Sequence, residues 1–431
     1  MPIAALASKA GTLTRGGSGS LYASVREALV LDAPNNRSIF ALEILDSGLG
    51  NRRINVGFRD HDTGVTSALV DVGITGLADD NHGVPAIVRG PDGHWYVFGA
   101  AHVTAIKYSS TDAPDDLSAW TNRGAATDLD GAYPHPVVVG SKLYLFYLRR
   151  NLSTDRGLKL RVFTASGGVL TPEGSTLSIF DLDEDNVGPD ERVYLGNCIV
   201  VGSEVSFPMQ RSSPNDDDGR RDIYFARYDT ATGTLKNHDG STVVASGSLP
   251  VTRATADASF LIFDHAGTRH GTDIPVWFSD AAGHPYVFFA DGESGGPFRI
   301  KMIFNTGSGW QMEDTGVDAY GDFATFAPVL RRDGSILLYH NDPSEVLAGA
   351  EWFGGTGYGH VAITTRSPSG AWGSPERLLT SISKPTARFT PGSNPHPSLR
   401  VLMSELPETA DDSAAADHRV FGHGALGFVQ A

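Results

Sequence analysis

A two-strand unit recurs along this chain of 431 residues, and a chain made of such units has few ways to bury them. Each copy starts with a short apolar strand, often led by a proline, and turns at Gly or a small polar residue. It returns through a strand rich in aromatic and β-branched residues, the pattern of an antiparallel hairpin. The plainest copies are Val84-Pro85-Ala86-Ile87-Val88, turning at Pro91-Asp92-Gly93 into Trp95-Tyr96-Val97-Phe98, and Pro136-Val137-Val138-Val139, turning at Gly140-Ser141-Lys142 into Leu143-Tyr144-Leu145-Phe146-Tyr147. Further copies run from Cys198-Ile199-Val200 to Val205-Ser206-Phe207, from Val276-Trp277-Phe278 to Tyr286-Val287-Phe288-Phe289, and from Pro328-Val329-Leu330 to Ile336-Leu337-Leu338-Tyr339.

A third strand and a polar fourth segment follow most hairpins, as at Ile106-Lys107-Tyr108, Ile223-Tyr224-Phe225 and Arg299-Ile300-Lys301. Four strands in a period of roughly fifty to eighty residues predict an all-β fold, a β-propeller of about seven four-stranded antiparallel blades. The expected domain is one propeller over residues 1–431, with residues 1–19 a flexible or closing amino-terminal segment. Residues 20–75 hold strands for one blade, and the stretch from His396 to Phe428 reads as a last blade completed by an amino-terminal strand. Such closure removes the edges that invite aggregation.

Composition narrows the function classes. Apolar residues make up 40% and charged ones 19%, with 50 Gly and 24 Pro, which describes a folded, turn-rich chain. The net charge of −16 argues against wrapping nucleic acid or docking on anionic lipid. No apolar run reaches the length of a membrane span and no export signal is visible; the expected place is extracellular or periplasmic, with the signal removed from the sequence given. Cys198 is the one cysteine, which excludes an intrachain disulfide and a thiolate cluster. The acidic runs Asp181–Asp185 and Asp216–Gly219 read as solvated loops, since neither has the ligand spacing of a calcium loop. No cofactor is required on this reading, a structural calcium or other metal ion at the acidic runs is the alternative, and a monomer is expected.

Hairpin geometry singles out four residues. His82 precedes the first strand of one hairpin and His102 follows its second; Tyr133 precedes the first strand of the next and Arg149 ends its second. Strands that run antiparallel put the start of one and the end of the other on a shared rim. Two imidazoles, a phenol and a guanidinium at one rim suit β-elimination from a uronate. That reaction needs a base for a weakly acidic proton, a cation for the developing charge and an acid for the leaving oxygen. Arg149 supplies the cation, His82 is the first choice of base and Tyr133 of acid, and His102 orients the sugar or shares the base role. His94 and His284 fall at the opposite, turn end, and alternation points His135 elsewhere.

The segments Asp80-Asn81-His82-Gly83-Val84-Pro85, Tyr133-Pro134-His135-Pro136 and Leu148-Arg149-Arg150 resemble the BNR-repeat-like propellers that include the seven-bladed ulvan lyases. Arg221-Asp222-Ile223-Tyr224 through Lys236-Asn237-His238-Asp239-Gly240 is similar to their next blade. The resemblance implies a polysaccharide lyase acting beside a uronate in an acidic, ulvan-like polymer. On it His82 and His102 match the paired histidines, Tyr133 the catalytic tyrosine and Arg149 the neutralising arginine, with Asn81 and Arg150 as substrate contacts. The chain departs where relatives tend to carry a histidine and it reads Met209-Gln210-Arg211. Arg211 there is a contact for sulfate or a second uronate, or a rim ion pair. Two rivals stand beside this reading. A propeller glycoside hydrolase would use carboxylates such as Asp273 and Asp291, and a propeller can also bind carbohydrate or a cell surface without catalysis.

Overall fold

The computed structural model describes residues 14–17, 28–46, 51–75, 77, 85–100, 104–149, 157–182, 192–212, 220–265, 269–270, 274–293, 298–319, 326–341, 360–380, 386–396, 399–406, 415–424 and 427–430. Among them the strands fall into seven four-stranded units. Blade 1 is Leu29–Asp32, Arg37–Asp46, Asn51–Asp60 and Val70–Asp71, and blade 2 is Ala86–Arg89, Trp95–Gly99, Thr104–Thr111 and the first half of Trp120–Val139. Blade 3 takes the second half of that strand with Lys142–Arg149, Gly157–Ser166 and Val169–Phe180. In blade 4, Arg192–Leu195 and Ile199–Val201 form the innermost strand and Glu204–Ser212 and Arg220–Asp229 the middle two. Its outer strand is split into Thr234–Lys236 and Leu261–Phe263, with a short helix, Arg253–Ser259, in the insertion between them. Blade 5 is Val276–Ser279, Pro285–Glu293, Phe298–Asn305 and Trp310–Ala319, and blade 6 is Phe326–Leu330, Ile336–Asn341, His360–Arg366 and Glu376–Thr380. Blade 7 is Thr386–His396, Leu399–Leu406, Ala415–Gly424 and the amino-terminal Thr14–Gly17.

Successive blades touch all the way round, through their inner strands except between blades 4 and 5, where Val276–Ser279 meets Glu204–Ser212, and Val30 of blade 1 bridges to Ser393 of blade 7, so the array closes on itself. Thr14–Gly17 pairs antiparallel with Ala415–His418, which supplies the last blade with its outer strand. This is the expected β-propeller with its expected closure.

Burial follows position in the blade. The second strand of blade 3, Lys142–Arg149, is buried at every residue after Lys142, because both its faces meet other blades. The outer strand Val169–Phe180 is buried only at Leu170, Ile179 and Phe180, as a strand at the solvent edge of a blade is. Aromatic rings stitch the interfaces: Phe146 lies 5.4 Å from Phe207 of blade 4, and Phe225 lies 5.0 Å from Trp277 of blade 5. The hairpin turns are those the repeat predicts, with Gly93 and Gly334 at φ 83° and 82°, a region open to glycine at little cost.

One connection differs from expectation. Blades 2 and 3 are joined by a single strand, Trp120–Val139, with no loop between them. Tyr133 therefore sits inside a strand rather than ahead of one. The chain redirects itself through left-handed residues at Gly124 and Tyr133 and through register shifts on both sides.

Candidate functional site

Blade 3 places Tyr133 and Arg149 together. Its first two strands pair from Lys142 and Val139 up to Phe146 and His135, slip, and resume at Leu148 and Ala132. The slip is a bulge that holds Tyr133, whose φ of 56° is left-handed. For an aromatic residue that conformation costs about 1–3 kcal/mol and persists only where the surroundings enforce it. The enforcement is visible: Tyr133 is buried and its ring centre lies 6.1 Å from that of Tyr194 in blade 4. Arg149 ends the neighbouring strand at the same rim and is buried, at 8% exposure. It faces Gly157 across the next pair, and a Cβ at that position would collide with the Phe180 carbonyl oxygen. A buried guanidinium and a buried phenol at one rim can neutralise an incoming carboxylate and move a proton.

Blade 4 repeats the device with different residues. Gln210 pairs with Ile223 and Arg211 with Arg221, which leaves Asp222 in a bulge at φ 55°. The Asp222 carboxylate accepts from Arg211 Nε at 3.2 Å and from Nη2 at 2.8 Å. Its backbone N–H donates to His265 Nδ1 at 2.9 Å, while the His265 backbone N–H donates to Asp222 Oδ1 at 3.2 Å. An Nδ1 that accepts places the neutral ring's proton on Nε2, which faces Asp291 Oδ1 of blade 5 at 3.9 Å. Arg211, Asp222, His265 and Asp291 are all buried. Partial desolvation, with Asp222 nearby, pushes the carboxyl of the exposed Asp264 up.

Of the expected site, Tyr133 and Arg149 share a blade and a rim, and Arg211 lies at the same rim one blade on, in an ion pair with Asp222. His82, Asn81, His102 and Arg150 lie outside the described residues, as do Asp273 and the run Asp216–Gly219. Sequence reasoning missed His265 and Tyr194 and gave Asp222 no role. Tyr194 stands near the entry of blade 4 as Tyr133 does in blade 3, a parallel readable from the repeat. His265 had no such signal, since its partner is 43 residues away. Two control histidines lie at the turn end as expected, where His94 Nδ1 donates to the Thr111 carbonyl at 2.8 Å and His284 Nδ1 to the Asp280 carboxylate at 2.8 Å; His135 is fully buried. Among the described residues no three His, Cys, Asp or Glu side chains gather as metal ligands, and no helix is long and apolar enough to cross a membrane.

An ulvan lyase of Pseudoalteromonas sp. (strain PLSV), named Ulvan Lyase-PL25, is 24% identical over 314 residues, 62% of this chain and 60% of that protein. The ulvan lyase of Alteromonas sp. (strain LOR) is 23% identical over 58% of this chain and 56% of its own length. The chain thus matches less than two thirds of the length of these relatives. A solved polysaccharide lyase PL25 ulvan lyase, bound to -[GlcA(1-4)Rha3S]-, superposes with a TM-score of 0.75 at 17% identity, covering 97% of this chain and 96% of that one. Polysaccharide lyase Uly1 gives 0.57 at 12% identity over 93% and 90%. At these identities the likeness shows the propeller fold. Residues 49–315, more than half of the sequence, match the profile described as BNR repeat-containing family member, and the chain belongs to that family.

Proposed function

We propose that this chain is a polysaccharide lyase that cleaves an acidic, uronate-containing, ulvan-like polymer by β-elimination. The observation that carries the reading is the placement of Tyr133 and Arg149 on neighbouring strands at one bulged rim of blade 3, both buried. Ulvan lyases among its relatives and the PL25 likeness in fold support it.

The reaction sets the roles. Arg149 forks onto the uronate carboxylate and neutralises the charge that grows as the alpha proton leaves. His82 takes that proton, and its electron pair becomes the new carbon–carbon double bond. The bond from the beta carbon to the glycosidic oxygen breaks, and Tyr133 gives its phenolic proton to the departing oxygen. His102 orients the ring. Asn81 and Arg150 hold the sugar, and no metal or redox step is needed for this balance.

The test incubates the protein with ulvan, glucuronan and glycosaminoglycans and follows the ultraviolet absorbance of the unsaturated uronate. Wild type raises it on at least one polymer, and His82→Ala and Arg149→Ala each abolish it with folding intact. Wild-type turnover in both variants would remove the proposed site.

A further inference from the structure

The split in the outer strand of blade 4 leaves the ladder interrupted opposite Phe225 and Ala226, between Thr234–Lys236 on one side and Leu261–Phe263 on the other. A cavity of about 250 Å³ opens in that gap, against the outer strand of blade 5. Phe225 and Phe260, both buried, give it apolar surface. Two half-buried rings, Trp310 and His238, complete it with their centres 5.2 Å apart, and each lies within 6 Å of the Phe225 ring centre. Trp310 starts the last strand of blade 5 at the turn end, so the cavity faces away from the rim of Tyr133 and Arg149.

The two rings carry hydrogen-bonding groups that the fold does not use. Trp120, Trp277 and Trp372 each donate the indole N–H to a protein oxygen, at 3.0, 2.7 and 3.2 Å, whereas Trp310 donates to none among the described residues. His61, His94, His265, His284 and His340 each engage a ring nitrogen, whereas His238 engages neither among the described residues. An aromatic pocket with a few convergent, unspent polar groups is the form of a small-ligand site. Its charge selects the ligand. Asp239 is exposed and ionised at the mouth, and no Lys or Arg lines the cavity among the described residues. Burial holds the His238 imidazole below its ordinary value, so at pH 7 it is neutral and offers one donor and one acceptor. An anionic sugar meets a like charge there and no counter-ion, while hydroxyl groups meet partners of both kinds.

We propose that this cavity binds the ring of a neutral sugar, its carbon–hydrogen face against the aromatic surface and its hydroxyls on His238 and the Trp310 indole N–H. It is a second carbohydrate site, which holds its ligand without converting it and does not depend on the lyase reading. The sugar comes either from an uncharged unit of a polymer or from a separate neutral glycan.

The test titrates the full chain with rhamnose, glucose, galactose, glucuronate and choline, followed by saturation-transfer NMR. At least one neutral sugar binds about ten times more tightly than glucuronate or choline, and His238→Ala and Trp310→Ala each weaken it about tenfold. Ser259→Phe, which fills the cavity and keeps both rings, weakens it as much with the thermal midpoint retained, so the loss is not one of folding. Arg149→Gln leaves this binding as in wild type, because the reacting rim is elsewhere. Rhamnose as the tightest ligand traces it to a rhamnose-bearing polymer, and glucose or galactose to a separate glycan; either supports the site. Absence of neutral-sugar binding, or binding that survives all three cavity variants, overturns it. Binding that is lost in Arg149→Gln and kept in the cavity variants assigns the sugar to the reacting rim and overturns it as well. Tighter binding of glucuronate or choline, lost in the cavity variants, overturns the neutral-sugar class.

Discussion

At the turn end of the blades, several polar groups find partners close in sequence: Tyr96 donates to the Asp92 carboxylate four residues away, and His284 to that of Asp280, also four residues away, although His94 reaches the Thr111 carbonyl 17 residues on. At the opposite rim the partners come from other strands and other blades. Arg211 reaches Asp222 across 11 residues and Asp222 meets His265 across 43, while Tyr133 packs on Tyr194 of another blade. The backbone differs in the same sense. The left-handed residues Asn36 and Asp115 are short polar side chains that tolerate that conformation, whereas at the site rim it falls on Tyr133 and on Asp222 in a bulged strand pair. Local partners hold a turn whatever surrounds it. A strained, bulged strand with buried charge holds only when several blades enforce it, and such enforcement is what fixes reactive groups.

That contrast can be broken by experiment. The largest effect is expected at Tyr133→Phe, which removes the phenolic proton and keeps the ring against Tyr194. Turnover should fall by about 10²–10⁴-fold, with the thermal midpoint nearly unchanged; unimpaired turnover would show the strained tyrosine to be a packing wedge. Arg149→Gln should lower kcat by about 10²–10³-fold, read as initial rate at saturating polymer. At the turn end the pattern inverts: Asp280→Ala should cost about 1 kcal/mol or less of stability in denaturant titration and leave turnover at the wild-type level. Loss of activity there would erase the distinction between the two ends.

The smallest effect concerns Asp264. Its carboxyl, on an exposed residue, is pushed up by partial desolvation and by Asp222, so its folded pKa lies above the unfolded one. The protonated form is therefore favoured in the fold. Its contribution is present in acid and lost as pH rises through the raised value. Asp264→Asn should raise the thermal midpoint by less than about 2 °C at neutral pH and not at all in acid, measured by scanning calorimetry at both.

Much of this was legible in the amino-acid order. Hairpins such as Pro136–Tyr147 announce themselves because alternation and turn glycines are local, and four strands per period imply a ring. The rim shared by Tyr133 and Arg149 followed from antiparallel pairing alone. The bulges did not, since a one-residue slip at Tyr133 or Asp222 leaves no mark in the apolar pattern. The unbroken strand Trp120–Val139 reads as two in the sequence because Gly124, Gly131 and two prolines look like loop residues. His265 was out of reach because its role depends on where the split outer strand of blade 4 returns.

The central claim is that a carbon–oxygen bond is broken by elimination and not by water. Digestion in heavy-oxygen water followed by mass spectrometry of the new chain ends tests it most directly. The account predicts an unsaturated uronate at one end and no solvent oxygen in either product. Products carrying one labelled oxygen per cut, with both sugars saturated, would contradict it.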